Sequence, residues 1–194
     1  VGLGTGSTGT FQIDATEFNR LASTGTVTIG RSDLSGNVDI EAIDYSGEGF
    51  DLVISAGSGS AVTIDGAVST DANDLTINSP DSVSLTGASS DIGSTTGEVS
   101  ITTTKNIALQ AGSSITTVDG GITLSANQQV TATGGNFVGI NIDDASISTT
   151  DGAITLNGRG GDSSNDNVGV RLINNGSVSS IGTGSSVGTI GITG

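Results

Sequence analysis

Residues 92–99 read IGSTTGEV, residues 115–122 read ITTVDGGI and residues 147–154 read ISTTDGAI. Each stretch opens on an aliphatic residue and returns to one seven positions later. Residues 68–75, VSTDANDL, obey the same rule, and residues 45–52, YSGEGFDL, obey it more loosely. The stretches start at 45, 68, 92, 115 and 147, with one more candidate at 178, so the steps are 23, 24, 23, 32 and 31 residues. A strand–turn–strand unit recurring every ~20–50 residues is the mark of a solenoid. The chain therefore reads as a stack of coils.

The residues between these stretches alternate as strands do. First strands open at Val27/Ile29, Leu52/Ile54, Leu75/Ile77, Val99/Ile101, Ile122/Leu124, Ile154/Leu156 and Ile190/Ile192. Second strands fall at Val38/Ile40, Val62/Ile64, Val83/Leu85, Ile107/Leu109 and Val130. Third strands carry Tyr45, Val68, Ile92, Ile115, Ile147 and Val178. Three short strands per coil is the pattern of a parallel β-helix, with aliphatics inward, Ser, Thr, Asp and Asn outward, and Gly or Asp-Gly at the corners. Asp-Gly pairs also suit hairpins, but hairpins do not require residue n to align with n+23. About seven coils at ~4.8 Å each make a rod ~35 Å long. Two coils, 122–153 and 154–185, gain about eight residues each, and the stretches after residues 136 and 166 align with each other. Ile140/Ile142 and Val170/Leu172 read there as an added strand between second and third strands, so the cross-section is expected to widen. The single solenoid thus divides into an irregular lead-in (1–26), regular coils (27–121), and widened coils with an open end (122–194). Within the lead-in, residues 14–22 form the one helix-like stretch, with Phe18, Leu21 and Ala22 on one face and Asp14 or Thr16 as cap.

Composition supports a narrow core. The 194 residues include 32 Gly, four Phe, one Tyr and no Trp, Met, Cys or His. A globule would lack bulk to fill a spherical core, whereas a solenoid buries each coil's aliphatics on the next. The formal charge is −15, from 20 acidic and 5 basic residues. That sign argues against nucleic acid, whose phosphates need Lys and Arg, and against an anionic membrane surface. No apolar run of membrane-spanning length is present, so membrane insertion is not expected. Without Cys or His, thiol chemistry, Ser-His triads and His-bound zinc are excluded as usually built. The absence of an initial Met suggests a processed or excised segment. No polar cap follows the last strand, so either further coils follow or end-to-end contact is part of the function.

Residues 16–30, TEFNRLASTGTVTIG, resemble a recurrent motif of filamentous-haemagglutinin-type bacterial exoproteins. Glu17, Arg20, Leu21, Gly25, Thr26, Thr28, Ile29 and Gly30 match the motif, while Phe18 replaces its usual Leu. The resemblance implies a right-handed β-helix, a sense that parallel crossovers also favour. It further implies a segment of a long extracellular or cell-surface fibre, acting as a structural or adhesive rod. Its partners would be further coils of the same protein or identical subunits, and a surface glycan or protein receptor. The alternatives are a self-assembling filament subunit and a carbohydrate-active β-helix enzyme.

An enzyme of that kind needs two carboxyls at a defined separation. Asp143-Asp144 is the adjacent acidic pair, and Arg159 and Arg171 lie in the neighbouring coil. A solvated turn with a surface ion pair explains them equally well, so no catalytic residue is assigned. Asn141, Asp143, Arg159, Arg171 and Asn174 are expected to form an interaction face on the longer coils. Calcium is the one cofactor considered, with Asp143, Asp144, Asp162 and Asp166 as oxygen ligands. Turn chemistry accounts for these Asp residues without a metal.

Overall fold

A computed structural model describes residues 1–6, 11–33, 35–163, 167–183 and 187–194 of the chain as a parallel β-helix. The lead-in holds β1 (Gly2–Leu3), β2 (Gln12–Ile13) and the one-turn helix α1 (Ala15–Phe18). The first coil has β3 (Thr26–Gly30), β4 (Val38–Ile40) and β5 (Ile43–Asp44). The second has β6 (Asp51–Ser55), β7 (Val62–Ile64) and β8 (Val68–Asp71), and the third β9 (Leu75–Ser79), β10 (Ser82–Leu85) and β11 (Asp91–Ser94). The fourth has β12 (Val99–Thr103), β13 (Asn106–Leu109) and β14 (Ser114–Thr117). The fifth has β15 (Ile122–Ala126), β16 (Ile140–Asp143) and β17 (Ser146–Thr149), and the sixth β18 (Ile154–Gly158), β19 (Val170–Ile173) and β20 (Ser177–Ser180). β21 (Ile190–Thr193) belongs to a seventh. First strands stack into a seven-stranded sheet, third strands into a six-stranded sheet, and second strands, with β1 and β2, into an eight-stranded sheet. All strand pairs within these sheets are parallel, with the right-handed crossover sense that such connections follow.

The V-x-I alternation becomes ladders of like side chains. Leu52, Leu75, Val99, Ile122 and Ile154 stack in register, as do Ile40, Ile64, Leu85, Leu109 and Ile142. Val68, Ile92, Ile115 and Ile147 form the third-strand ladder. All of these lie in the buried core, where each fully buried Val, Leu or Ile contributes about 1.5–3 kcal/mol. A core made of columns needs no aromatic bulk.

The seven-residue stretches are the corners that lead from a third strand into the next first strand. Three consecutive backbone N–H groups converge there on one carbonyl of the coil below. Thr95, Thr96 and Gly97 donate to Asp71 O; Val118, Asp119 and Gly120 donate to Thr95 O; Thr150, Asp151 and Gly152 donate to Val118 O. In three of the four corners the small hydroxyl two residues after the aliphatic is buried and ties the turn down, while that of Thr70 is buried without a partner. Ser94 and Thr117 donate to the carbonyls of Gly97 and Gly120 at 2.7 and 2.6 Å. Glycine is dictated by the stacking distance rather than by φ. A Cβ at Gly97, Gly120 or Gly152 would lie 2.0–2.1 Å from the carbonyl oxygen of Asn73, Gly97 or Gly120.

Four expectations change at this point. Ile43, not Tyr45, pairs with Val68, so the first of these corners is two residues longer. Tyr45 instead lies buried beyond β5, where it stacks on Phe50 with ring centroids 5.9 Å apart. Val130 is fully exposed and forms no strand. Ile140/Ile142 are the second strand itself, in register with Ile107/Leu109, so growth falls between first and second strands and the cross-section keeps three sheets. The physical reason is that a lone Val among Gln and Thr cannot supply the paired inward side chains that a coil buries. Lastly, the corner after Val178 lengthens, because the next first strand opens only at Ile190.

The lead-in closes one end of the core. The carboxylate of Asp14 accepts from Glu17 N at 2.8 Å and that of Glu17 accepts from Asp14 N at 3.1 Å, a capping box that fixes α1. Phe18 is thereby buried edge-on against Tyr45 and Phe50, at 6.1 and 6.0 Å between centroids. Leu21 is half-buried and Ala22 is exposed, so the helical face ends with Phe18. In the second-strand sheet β1 lies between β2 and β4, so two short strands extend this sheet beyond the first coil.

Replacing Gly120 by Ala pushes a methyl into the carbonyl of Gly97 and is expected to cost about 3 kcal/mol in chemical denaturation. Gly93→Ala, at a site with nothing within 4 Å, is expected to be near neutral. Burial, and after it the Asp51 and Asp74 carboxylates, holds the Tyr45 phenol well above its ordinary pKa. The folded chain keeps this proton more tightly than the unfolded chain. Its contribution is therefore complete below pH ~10 and declines as pH rises beyond that value. Tyr45→Phe should flatten the loss of stability in alkali, measured by denaturation at a series of pH values.

Candidate functional site

The largest growth falls at one corner, between first and second strands. The path from Ile77 to Val83 and from Ile101 to Ile107 takes six positions, but Leu124 to Ile140 takes sixteen and Leu156 to Val170 takes fourteen. The two long segments stack on each other as coils do. Gly161 N donates to Phe137 O, Asp162 and Ser163 N to Gly135 O, and Gly139 N to Val168 O. Side chains complete the match. Asp162 Oδ1 accepts from Gly135 N at 2.9 Å, and Asn167 Oδ1 accepts from Phe137 N at 3.3 Å.

Asn127 organises the first loop. It adopts φ +58 and is fully buried at the end of β15. Its amide donates to Thr133 O at 3.1 Å and Gly160 O at 3.2 Å, and its carbonyl accepts from Thr133 N at 2.7 Å and Gln129 Nε2 at 2.8 Å. Gln129 also reaches down to Thr104 O at 2.9 Å, which ties the loop to the coil below. Alongside runs a shallow groove of about 290 Å³ lined by residues including Ala56, Asn78, Pro80 and Thr102. Sequence reasoning missed Asn127 and this groove. Asn127 carries a cue, a polar residue placed directly after the inward Ala126, while the groove arises only from stacking.

The expected interaction residues are only partly brought together. Arg171 lies directly above Asn141 and donates to it through Nε at 2.8 Å. Asn174 donates to Asp143 Oδ1 at 2.8 Å. These four form two adjacent rungs on the outer face of β16 and β19. Arg159 stands on the neighbouring corner, exposed, with its backbone against Gly139.

The calcium candidates are scattered. Asp143 is on the sheet face, and Asp162 is in the long loop. Asp144, at φ +49, lines a small polar hollow with Gly112, Ser113 and Asn175 at the next corner. Asp166 lies outside the described residues. Among the described residues no three acidic side chains gather where one ion could be held.

Comparison with protein-family models, with curated proteins and with solved structures finds no match. The geometry of this corner is therefore what any functional reading rests on.

Asn127→Ala leaves buried N–H and C=O groups unpaired and is expected to cost about 3 kcal/mol or loosen the loop outright. Hydrogen exchange should then accelerate across residues 127–139 while β9–β14 stay protected.

Proposed function

We propose that this chain is a non-catalytic β-solenoid segment of a long secreted or cell-surface fibrous bacterial protein, working as a rigid spacer with one adhesive corner. The carrying observation is that the corner from third to first strand keeps its seven-residue path through four coils while the corner between first and second strands grows from six to sixteen positions. A stacked corner that cannot accept even one methyl at Gly97, Gly120 or Gly152 reads as scaffold. A corner that accepts ten extra residues and stacks them in order reads as a presented surface. The likeness of residues 16–30 to haemagglutinin-type repeats supports the extracellular setting. The pairing of Arg171 with Asn141 and of Asp143 with Asn174 suits a polar recognition face for a glycan or protein receptor.

The test is to replace residues 127–139 and 159–169 each by the three residues that join Thr103 to Ile107. Circular dichroism should keep its parallel-β signature. Adherence of protein-coated beads to a glycan panel and to cell surfaces should fall at least tenfold. Full adherence after both loops are removed would sink the adhesive corner.

A further inference from the structure

Among the described residues Val130 is the most exposed large apolar side chain, at 104%. It does not sit on a loose segment. It stands at the tip of a turn whose two feet are tied. On one side Gln129 Nε2 bonds Thr104 O at 2.9 Å and Thr133 Oγ1 at 3.0 Å. On the other, the backbone N–H and C=O of Thr133 are both bonded by the buried side chain of Asn127. An apolar side chain held out on an already ordered turn is a knob, and covering it requires little further ordering of the backbone.

A hole lies beside the knob. Thr104, the residue that Gln129 grips, also lines the groove of about 290 Å³ on the coils below. Ala56, Pro80 and the methyl-bearing Thr102 and Thr104 give this groove its apolar surface. The Thr104 hydroxyl donates to the Pro80 carbonyl and so fixes one wall. Val130 does not fill the groove of its own molecule, because it is fully exposed.

Charge bears on what can fill it. No residue lining the groove is charged, and neither is any residue from Gly120 to Ile142. Two charged pairs border the groove, and each cancels: Arg31 with Asp33, and Lys105 with Asp81 at 3.5 Å. In a chain of net charge −15 this corner is a neutral strip, along which two copies approach with little repulsion. A strongly charged partner finds no unpaired opposite charge there.

We infer that this corner is an interface for a second copy of the chain, in which the Val130 of each copy enters the groove of the other. The knob belongs to the fifth coil and the groove to the first four, and both lie on the flank of the rod along the corner between first and second strands. A two-fold axis perpendicular to the rod therefore brings both contacts into place at once. The rods lie side by side and antiparallel, and the isologous contact closes as a dimer. The inference does not rest on the adhesive reading, and its readout needs no receptor, so the two can fail separately.

Sedimentation of the 194-residue chain across a wide concentration range tests it. A dimer should form without larger species. Val130→Asp should raise the dimer Kd at least tenfold. Thr102→Arg, which fills the groove from an exposed position, should do the same. Both should keep the circular dichroism of the unaltered chain, and Thr116→Arg, exposed on the third-strand sheet, should leave the Kd unchanged. Mixing the Val130→Asp and Thr102→Arg proteins pairs one intact knob with one intact groove. The mixture should dimerise at least threefold more tightly than either variant alone. A monomer at every concentration, growth beyond the dimer, a Kd indifferent to Val130→Asp, or a mixture no tighter than its parts would each overturn the proposal.

Discussion

Everything in this molecule is subordinate to the distance between coils. Parallel strands hydrogen-bonded to their neighbours sit ~4.8 Å apart, and the corner after each third strand must keep that spacing without strand geometry. It does so by aiming three successive N–H groups at one carbonyl below, as Val118, Asp119 and Gly120 do at Thr95. Such backbone concavities ordinarily receive anions. Here the carbonyl of the preceding coil fills each one, so the corner is both a turn and a hydrogen-bonded layer. The close approach removes room for a Cβ, which is why Gly97, Gly120, Gly152 and Gly188 form a column.

The same spacing would be expected to punish a chain with four times more acids than bases. Like charges stacked one coil apart repel, yet Asp51, Asp74 and Glu98 stand in one column. The carboxylates escape by turning to the backbone. Asp51 accepts from Asp74 N at 2.9 Å, and Asp74 accepts from Glu98 N at 2.7 Å, so each charge is spent on the next coil's amide. Elsewhere hydroxyls take the role: Thr86 donates to Asp65, Thr95 to Asp71, and Ser114 to Asp91. The excess of Asp over Glu follows, because the shorter side chain reaches the adjacent backbone without folding back on itself.

The strand ladders and the constant corner were legible because both are local. Alternation marks the inward residues, and a fixed interval marks the turn. What could not be read depended on contacts between distant segments. Tyr45 stands seven residues before Leu52 and 23 before Val68, so it passes as a ladder residue, and only the presence of Phe18 and Phe50 draws it into a lid instead. Val130 stands eight residues after Ile122, much as Val83 follows Leu75, but it has no inward companion. The second strand therefore waits until Ile140. The row of Asn141 and Arg171 was legible, since the two long coils align by inspection. The loop above it was not, because its anchor, Asn127, works through Gly160 in the next coil.

These constraints give the rod a direction. The lead-in end carries four of the five aromatic rings, the capping box and the close-packed lid. The other end carries the long corners, the Asn141–Arg171 rung and the acid-free final segment. A solenoid coil is stabilised by its neighbours rather than by itself, so the lid can stabilise coils only through the unbroken aliphatic columns between. The regular coils from Val27 to Gly121 thus have a physical task beyond length. They carry an ordered, correctly spaced template from a closed start to coils whose own corners, fourteen and sixteen positions long, have too much loop entropy to hold that spacing alone.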